Sequence, residues 1–540
     1  MRRLGFILLS FIVLAAGCRK DDISGPESLR LRSITVEESS VSLPPGGSAL
    51  IHFSVKDSGY PLVTDIGNPS FALVLRHPDG SVPDVCRISS VTKGKAEGEY
   101  VAVILDSGGG EAYNFRVRLS HVNGKGSGNE SWLDSPGFTI TCGSSGPDPG
   151  EELLVDTGLP VVVVNTASPV NSKTQYVSGT VKIQGAGGYE GLAEMSCQMR
   201  GRGNTTWTWP KKPYLLRLEE KQHIFGMHKH RRWVLLANFM DRTLMRNLVS
   251  MHVASMTSLE WSPGCVPVEL VLNGKHVGSY LLIEQVRVDN HRVDITEMTP
   301  SDNSGDAVTG GYLLELDFHY DNEMQWKDHN IPFSVKYPDP DEITSQQKNY
   351  IKGYISEVSN VIYGSDFADP EKGYAKYLDV DSFIDYWIVY EVMGNHELGN
   401  PGSVFMHKDR GGLLVAGPCW DFDWGVLSYN TSPQARTGLV NGRAIWYARL
   451  FKDPVFKARV KERFEELLPQ LSTVPDYMDE CRKLLSKSAE LNFKMWNPAE
   501  DASQNGGQII NGDENMSFDS AVDRLKSIYQ DRLRVIPANL

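Results

Sequence analysis

Short alternating runs of apolar and polar residues fill the first quarter of the chain. Between residues 29 and 142 these runs are SITVEESSVSL, SALIHFSVKD, FALVLRH, EYVAVILD and NFRVRLSHV, separated by turn-forming segments such as PPGG, PDG and SGGG. Alternation with a period of two and enrichment in β-branched residues are typical of half-buried strands. We therefore expect residues 29–142 to form an all-β sandwich of immunoglobulin-like size.

A second region begins after segment 143–152, whose Gly, Ser and Pro content is typical of a linker. Strand-like runs such as WVLLANF and GSYLLIEQV occupy the first half of residues 153–540. Helical patterns follow at Tyr350–Ile362, Asp381–Met393, Pro454–Leu471 and Ala521–Ile536. Strands first and helices later predict an α+β domain.

The N-terminus has the pattern of an export signal. Two arginines precede an apolar run that ends in Leu-Ala-Ala-Gly before Cys18. A charged start, a short apolar stretch and small residues at its end define a secretory signal peptide, and the stretch is too short to span a bilayer. The small residues before the cysteine resemble a bacterial lipobox. We expect residues 1–17 to be removed, Cys18 to be lipidated, residues 18–28 to form a tether, and the protein to reside in the bacterial cell envelope, at the outer membrane and exposed on its surface.

Composition and charge narrow the choice of partners. Apolar residues make up 41% and charged residues 22% of the 540 residues, which excludes a disordered or fibrous protein. The net charge of −13 argues against nucleic acid as the main partner and leaves the lipid anchor as the expected membrane contact. The remaining cysteines form no CxxC pair, so neither a zinc site nor a dense disulfide scaffold is indicated. The sequence leaves open whether Cys86 and Cys142 form a disulfide bond.

A glycine-rich turn is the first candidate for chemistry, because the sequence has no Walker A, G-x-S-x-G or H-E-x-x-H motif. The turn reads RGRGNTTW and is followed by Lys211 and Lys212. Glycines let the backbone approach an anion, and a nearby lysine adds a point charge, as in phosphate-binding turns. An ordinary hairpin turn is the competing interpretation.

Two acidic clusters form the second candidate. Asp421 and Asp423 lie between tryptophans in CWDFDWG, and Glu397 follows His396 in GNHELG. Buried carboxylates need a positive partner, and oxygen ligands favour Mg²⁺ or Ca²⁺ over zinc. A structural aspartate that caps the next helix is the alternative.

The order of five motifs resembles a known family, the CotH family of secreted, protein-kinase-like proteins. From about Leu159 to the C-terminus the chain contains RGRGNTTWTWPKKPYLLRL, WVLLANFMDRTLMRN, GSYLLIEQVRVDNHRVDI, GGYLLELD and GNHELGNPGSVFMHKDRGGLLVAGPCWDFDWG. The resemblance implies an atypical bilobal protein-kinase-like domain at residues 153–540. It also implies ATP between a β-rich and a helical lobe, with Mg²⁺ bridging the phosphates.

The resemblance also implies roles for individual residues. The phosphate-facing turn corresponds to Arg202, Gly203 and Asn204, the phosphate-pairing lysine to Lys211 or, preferably, Lys212, and the contact near the base to Glu284. Metal binding corresponds to Asp421, supported by Asp423, and the catalytic base to Glu397. Asp241, Arg246 and Asn247 match a family motif whose role is mainly structural.

Two positions of the catalytic loop depart from the family pattern. Glu397 stands where the family commonly has Asp, and Ser403 stands where it has Asn. The longer side chain moves the carboxylate by on the order of 1 Å, and misplacement of that size costs about a hundredfold in rate. The base contributes only roughly 10²–10⁴, so we expect slow transfer, with Ser403 still offering an oxygen to the metal and His396 as an alternative base.

Two functions follow from these expectations. The first is a lipid-anchored kinase that transfers the γ-phosphate of ATP to Ser or Thr hydroxyls of an unknown extracytoplasmic acceptor protein. The second is a catalytically weakened kinase-like module that binds glycans or proteins at the cell surface. ATP is scarce outside the cytoplasm, which favours the second.

Overall fold

The computed structural model of the chain describes residues 153–319, 324–497 and 510–540, together with strands and Gly137 between residues 33 and 142. Cys18, Cys86, the side chain of Cys142, and the predicted signal peptide, tether and linker lie outside the described residues. The chain divides into two compact units, Met1–Gly143 and Ser144–Leu540.

The first unit contains nine described strands. One sheet has the order β1-β3-β6-β5, and the other has the order β2-β9-β7-β4 with β8 paired to β7. The strands are β1 (Ser33–Val36), β2 (Ser40–Leu43), β3 (Ser48–Lys56), β4 (Phe71–Arg76), β5 (Arg87–Lys93), β6 (Glu99–Leu105), β7 (Glu111–Leu119), β8 (Ser131–Asp134) and β9 (Phe138–Cys142). The immunoglobulin-like arrangement of these strands stays a prediction.

The second unit begins with a closed seven-stranded barrel of order β10-β11-β12-β13-β14-β16-β15. Its strands are β10 (Val161–Thr166), β11 (Val177–Gln184), β12 (Leu192–Gly201), β13 (Tyr214–Gln222), β14 (His230–Leu236), β15 (Cys265–Leu272) and β16 (Lys275–Glu284). Alternate residues of β14, including Trp233 and Leu235, fill the interior because successive strand side chains point to opposite faces.

A five-stranded sheet and seven α-helices follow among the described residues of this unit. The sheet has the order β18-β19-β17-β20-β21, with β17 (Tyr312–Leu316), β18 (Gln325–Asp328), β19 (Ile331–Tyr337), β20 (Val404–Lys408) and β21 (Leu414–Ala416). The described helices are α1 (Arg246–Ser255), α2 (Ser345–Tyr363), α3 (Val380–Val392), α4 (Tyr447–Leu450), α5 (Pro454–Leu471), α6 (Val474–Met495) and α7 (Phe518–Asn539). One large apolar core joins these elements to one side of the barrel.

The mixture of sheet and helix confirms the α+β class. Helix α5 has the predicted bounds because its apolar residues recur at helical spacing and are buried on one face. Helix α6 was not predicted, although its buried residues also recur at helical spacing. Within the described part of the chain, no helix combines the length and apolarity needed to cross a bilayer.

Candidate functional site

A cleft of about 1040 Å³ lies between the barrel and the five-stranded sheet. Val234 and Leu236 of β14 line it from the barrel, and Leu313 of β17 and Phe405 of β20 line it from the sheet. These side chains give part of the cleft apolar walls on two sides, which suits a flat, hydrophobic ring system.

The glycine-rich turn forms one wall of the polar part of the cleft. Arg202, Gly203 and Asn204 all line it, directly after strand β12. Gly203 has φ +85°, and a Cβ there would lie 2.0 Å from the Oγ1 atom of Thr206. The tight turn therefore requires glycine, and it brings the Arg202 side chain into the cleft.

The acidic residues lie on the opposite wall. Glu397 follows α3, Ser403 immediately precedes β20, and Asp421 and Asp423 follow β21, so three chain segments meet here. The Ser403 hydroxyl donates a hydrogen bond of 3.3 Å to Oδ2 of Asp421. Both Ser403 (φ 55°) and Asp421 (φ 65°) have left-handed backbone, a conformation that residues other than glycine adopt uncommonly.

The buried carboxylates of this wall would be stabilised by a bound cation. Burial, reinforced by the charge of Asp421, raises the pKa of Asp423 well above its usual value. Burial and the same two aspartates raise the pKa of Glu397 in the same direction. Burial lowers the pKa of Arg202, whereas the carboxylates of Asp421 and Asp423 oppose that shift. One guanidinium thus faces several carboxylates, and a divalent cation would relieve their repulsion.

The donor set fits a magnesium ion bound together with a nucleotide. No group of three or more His, Cys, Asp or Glu side chains within the described residues is arranged to hold a metal ion by itself. Asp421 and Asp423 offer carboxylates and Ser403 a hydroxyl on one wall of the cleft. Mg²⁺ is commonly held by one or two carboxylates plus substrate phosphates and water, so these residues suffice.

Residues outside the cleft position the acidic loop. The side-chain oxygen of Asn247 accepts a 2.7 Å hydrogen bond from the backbone N–H of Phe422, between the two aspartates. Arg246 pairs with Asp241 and, at 2.6 Å, with Asp513, and its Nε donates to the carbonyl of Val426. The motif that contains Asp241, Arg246 and Asn247 is thus a buried scaffold for the loop.

An aromatic contact joins the two walls of the cleft. Trp209, beyond the glycine-rich turn, stacks on Trp424 with ring centroids 5.9 Å apart and planes 9° apart. The guanidinium of Arg202 lies 5.5 Å from the ring centroid of Trp420. These contacts hold the turn beside the acidic loop, and nothing in the local sequence indicated the Trp209 partner.

The structure revises the expected role of the two lysines, because neither is among the residues that line the cleft. The Nζ atom of Lys211 is buried and donates to the carbonyls of Ala237, at 2.8 Å, and Ser279 and to Oδ1 of Asn492. Lys212 donates to the carbonyl of Trp207 and lies over its ring. Both side chains are committed to the protein itself, and Arg202 is the cation that faces the acidic wall.

Two other expected residues also lie outside the cleft lining. The carboxylate of Glu284 accepts a hydrogen bond of 2.9 Å from the N–H of Gly264, and the next residues, Gln285 to Arg287, line the cleft instead. A side chain at the end of a strand points to one face only, and for Glu284 that face is away from the cleft. His396 is likewise absent from the lining, so Glu397 is the better placed of the two candidate bases.

Several charged residues of the cleft were not singled out from the sequence, among them Glu315, Asp317 and Lys336. Glu315 and Asp317 belong to the chain segment of β17, and Lys336 belongs to β19. The signal for Glu315 and Asp317 was the alternation in YLLELD, where polar residues two apart interrupt an apolar strand. Such a row of acidic residues on one face of a buried strand marks a face that is not packed in the core.

Comparison with known proteins places the chain in a family. A family model described as CotH kinase protein matches residues 199–536. No curated protein matches the chain. Among solved structures, one described as the structural basis of T cell specificity and activation by the bacterial superantigen toxic shock syndrome toxin-1 aligns with 20% of this chain and 96% of its own, at 13% identity. Its TM-score of 0.14 supports no inference. The family match covers more than half of the chain and every residue of the cleft's acidic wall, so the chain belongs to the CotH kinase protein family.

Proposed function

We propose that the cleft binds Mg²⁺-ATP and transfers its γ-phosphate to a Ser or Thr hydroxyl of an acceptor protein. One observation carries the proposal: Arg202 from the glycine-rich turn faces Asp421 and Asp423 across a single cleft that also contains Glu397. The family membership supports the same reaction. Phosphoryl transfer depends mainly on positioning and on charge stabilisation, which this arrangement supplies.

The proposed role of each residue follows from its place in the cleft. Val234, Leu236, Leu313 and Phe405 enclose the base, and Arg202 neutralises phosphate charge. Asp421 and Asp423, with the Ser403 hydroxyl, would hold Mg²⁺, which when bound neutralises charge on the phosphate oxygens. Glu397 accepts the proton of the acceptor hydroxyl as that oxygen bonds to phosphorus and ADP leaves.

One observation favours the alternative of a weakened kinase that binds glycans or proteins at the surface. The pKa of Glu397 is raised by burial and by the charges of Asp421, Asp423 and Asp317, and a protonated carboxyl cannot accept a proton. A bound cation counteracts that shift because positive charge favours the carboxylate. The kinase proposal therefore requires the cation for the base as well as for the phosphates.

The expected setting completes the proposal. The signal-peptide pattern and Cys18 support an anchor in the bacterial envelope, with the kinase-like unit outside the cytoplasm. The acceptor would then be an extracytoplasmic protein.

Transfer of labelled phosphate from ATP to envelope proteins, measured alongside nucleotide binding, tests the proposal. We expect Asp421→Asn to lose both Mg²⁺-dependent binding and transfer. Glu397→Gln should keep binding and lose transfer by roughly 10²–10⁴. Exposed Asp341, outside the cleft lining, provides the control Asp341→Asn. Undiminished transfer in Asp421→Asn would refute the assignment of the reaction to this cleft, and binding without any transfer in the unmodified protein would support the alternative.

A further inference from the structure

An exposed aromatic pair lines the cleft close to the candidate base. Phe318 and His319 come shortly after the end of β17, and both line the cleft. Phe318 is 44% exposed, more than any other Phe, Tyr or Trp among the described side chains. Its ring centroid lies 4.1 Å from that of His319, with the ring planes 34° apart. The two rings give the cleft an apolar surface that packing inside the protein does not use.

Hydrogen bonds hold the segment that carries this aromatic pair. The backbone N–H of His319 donates a 2.8 Å hydrogen bond to Oδ1 of Asp317, and Nδ1 of the His319 ring lies 3.0 Å from the same oxygen. The backbone N–H of Phe318 donates a 2.9 Å hydrogen bond to the carbonyl of Pro401. The second bond ties the end of β17 to the loop before β20, which also carries Ser403. The aromatic pair therefore has a fixed place beside the acidic wall.

Gly402 lies between the Phe318 ring and the carboxylate of Glu397. A Cβ atom at residue 402 would lie 3.3 Å from Cε1 of Phe318 and 3.6 Å from Oε1 of Glu397. The ring edge and the carboxylate are thus close neighbours, separated by a space that a larger residue would fill. Because glycine has no side chain, this space beside the candidate base stays open.

An acceptor protein has to pass this place, since Glu397 is the proposed base for its hydroxyl. Successive residues of an extended chain lie about 3.3 Å apart, so a side chain one or two positions from the hydroxyl reaches the aromatic pair. Contact with the rings removes apolar surface from water, which favours an apolar or aromatic side chain there. An acidic side chain would instead lie near the carboxylates of Asp317, Glu397 and Asp421, and like charges repel.

We propose that Phe318 and His319 bind an apolar or aromatic residue within two positions of the acceptor hydroxyl, and that Gly402 keeps the approach to Glu397 open. The cleft then selects Ser or Thr residues with apolar neighbours over those with acidic neighbours. The inference rests on the proposed function of the cleft and names the class of acceptor that it takes. Phe318 is a specificity-determining residue in this proposal and takes no part in the transfer itself.

The test measures the binding of synthetic serine peptides to the full chain with Mg²⁺ and a non-hydrolysable ATP analogue, and phosphate transfer from ATP in parallel. The peptides carry Phe, Gly or Asp at each of the two positions on either side of the serine. We expect at least one Phe peptide to bind about tenfold more tightly than its Gly counterpart. The Asp peptides should bind no more tightly than the Gly peptides.

Two variants assign the preference to the aromatic pair. Phe318→Ala should lose most of the preference for Phe peptides and keep the dissociation constant of the nucleotide. Gly402→Val should weaken the binding of all peptides, because its side chain fills the space beside Glu397. Tyr363→Ala is the matched control, since Tyr363 is 39% exposed and lies outside the cleft lining.

The outcomes separate this proposal from the proposed function. Equal affinity of the unmodified protein for the Phe, Gly and Asp peptides would overturn the acceptor contact and leave the nucleotide site intact. A preference for Phe that survives unchanged in Phe318→Ala would also overturn it. Selective binding of Phe peptides without any phosphate transfer would support the contact and count against the kinase. The comparison of peptides needs only the unmodified protein, so it remains valid where a variant folds poorly.

Discussion

The Nζ atom of Lys211 donates a 2.8 Å hydrogen bond to Oδ1 of Asn492, a residue near the end of α6. The same ammonium donates to the carbonyls of Ala237, beside the cleft, and of Ser279 in β16. Three acceptors surround one group with three N–H bonds. Lys211 thus joins the barrel to the helical part of the unit.

We expect Lys211→Met to destabilise the protein by about 2–4 kcal/mol, because it leaves buried oxygens without donors. Lys212→Met is the matched variant, and it should cost less than about 1 kcal/mol since Lys212 is partly exposed and has one carbonyl partner. Chemical denaturation of both variants measures the difference. Equal denaturation midpoints for the two variants would show that the buried hydrogen bonds of Lys211 stabilise the protein no more than the single hydrogen bond of Lys212.

Because the carboxylates of the acidic wall repel one another, we expect one substitution there to affect stability differently without metal and with Mg²⁺-ATP. Asp421→Asn removes a charge that raises the pKa values of Asp423 and Glu397, so without metal we expect unfolding at equal or higher temperature. With Mg²⁺-ATP at about 100 times its dissociation constant, the unmodified protein should gain roughly 2.7 kcal/mol, and the variant should gain nothing. A nucleotide shift that persists in Asp421→Asn would remove this residue from the metal site.

The lowered pKa of His230 predicts that the protein loses stability in mild acid. Burial, with the nearby charge of Arg292, lowers the pKa of His230 to about 4. The unfolded chain, with a pKa of about 6.5, binds an additional proton between these values, so stability falls as the pH drops from about 6.5 to 4. The loss is on the order of 3 kcal/mol. Denaturant midpoints across this range should fall less steeply in His230→Gln and equally steeply in the control His329→Gln. Some slope remains in His230→Gln because burial also lowers the pKa of His252 to about 4. An unchanged slope in His230→Gln would contradict the assignment.

The stack of Trp209 on Trp424 predicts a coupling between the two walls of the cleft. A double-mutant cycle with Trp209→Leu and Trp424→Leu should show a coupling of about 0.5–1.5 kcal/mol in unfolding free energy. Each single variant should also weaken Mg²⁺-ATP binding, because the glycine-rich turn loses its contact with the acidic loop. Additive effects on stability would mean that the rings do not interact.

The sequence placed the acidic wall and the glycine-rich turn in the cleft correctly but not the two lysines, and the difference has a physical reason. Glu397, Ser403 and Asp421 lie within one stretch of chain, and short connections keep them close. Lys211 and Lys212 stand before strand β13, where a shift of one residue decides between the buried interior and the partly exposed position beside Trp207. That choice is made by residues as distant as Asn492, whose contact no local pattern reveals.

The same reasoning explains why the bounds of helix α5 were predictable and why the cleft residues Glu315 and Lys336 were not predicted. Helix α5 carries an uninterrupted apolar stripe, so its bounds were predictable. Glu315 and Lys336 meet only because β17 and β19 pair, and pairing over that distance is a property of the whole sheet. Local periodicity placed Glu315 on a strand without indicating which strand or cavity it would face.

The left-handed backbone at Ser403 and Asp421 limits which sequence changes the site can tolerate during evolution. Asn, Asp and Gly adopt this conformation most readily, whereas β-branched residues resist it. Replacement of Ser403 by Asn would relax the main chain, because Asn adopts this conformation more readily than Ser. That single change is sterically open to the site, while most other substitutions at either position are disfavoured before any chemistry is considered.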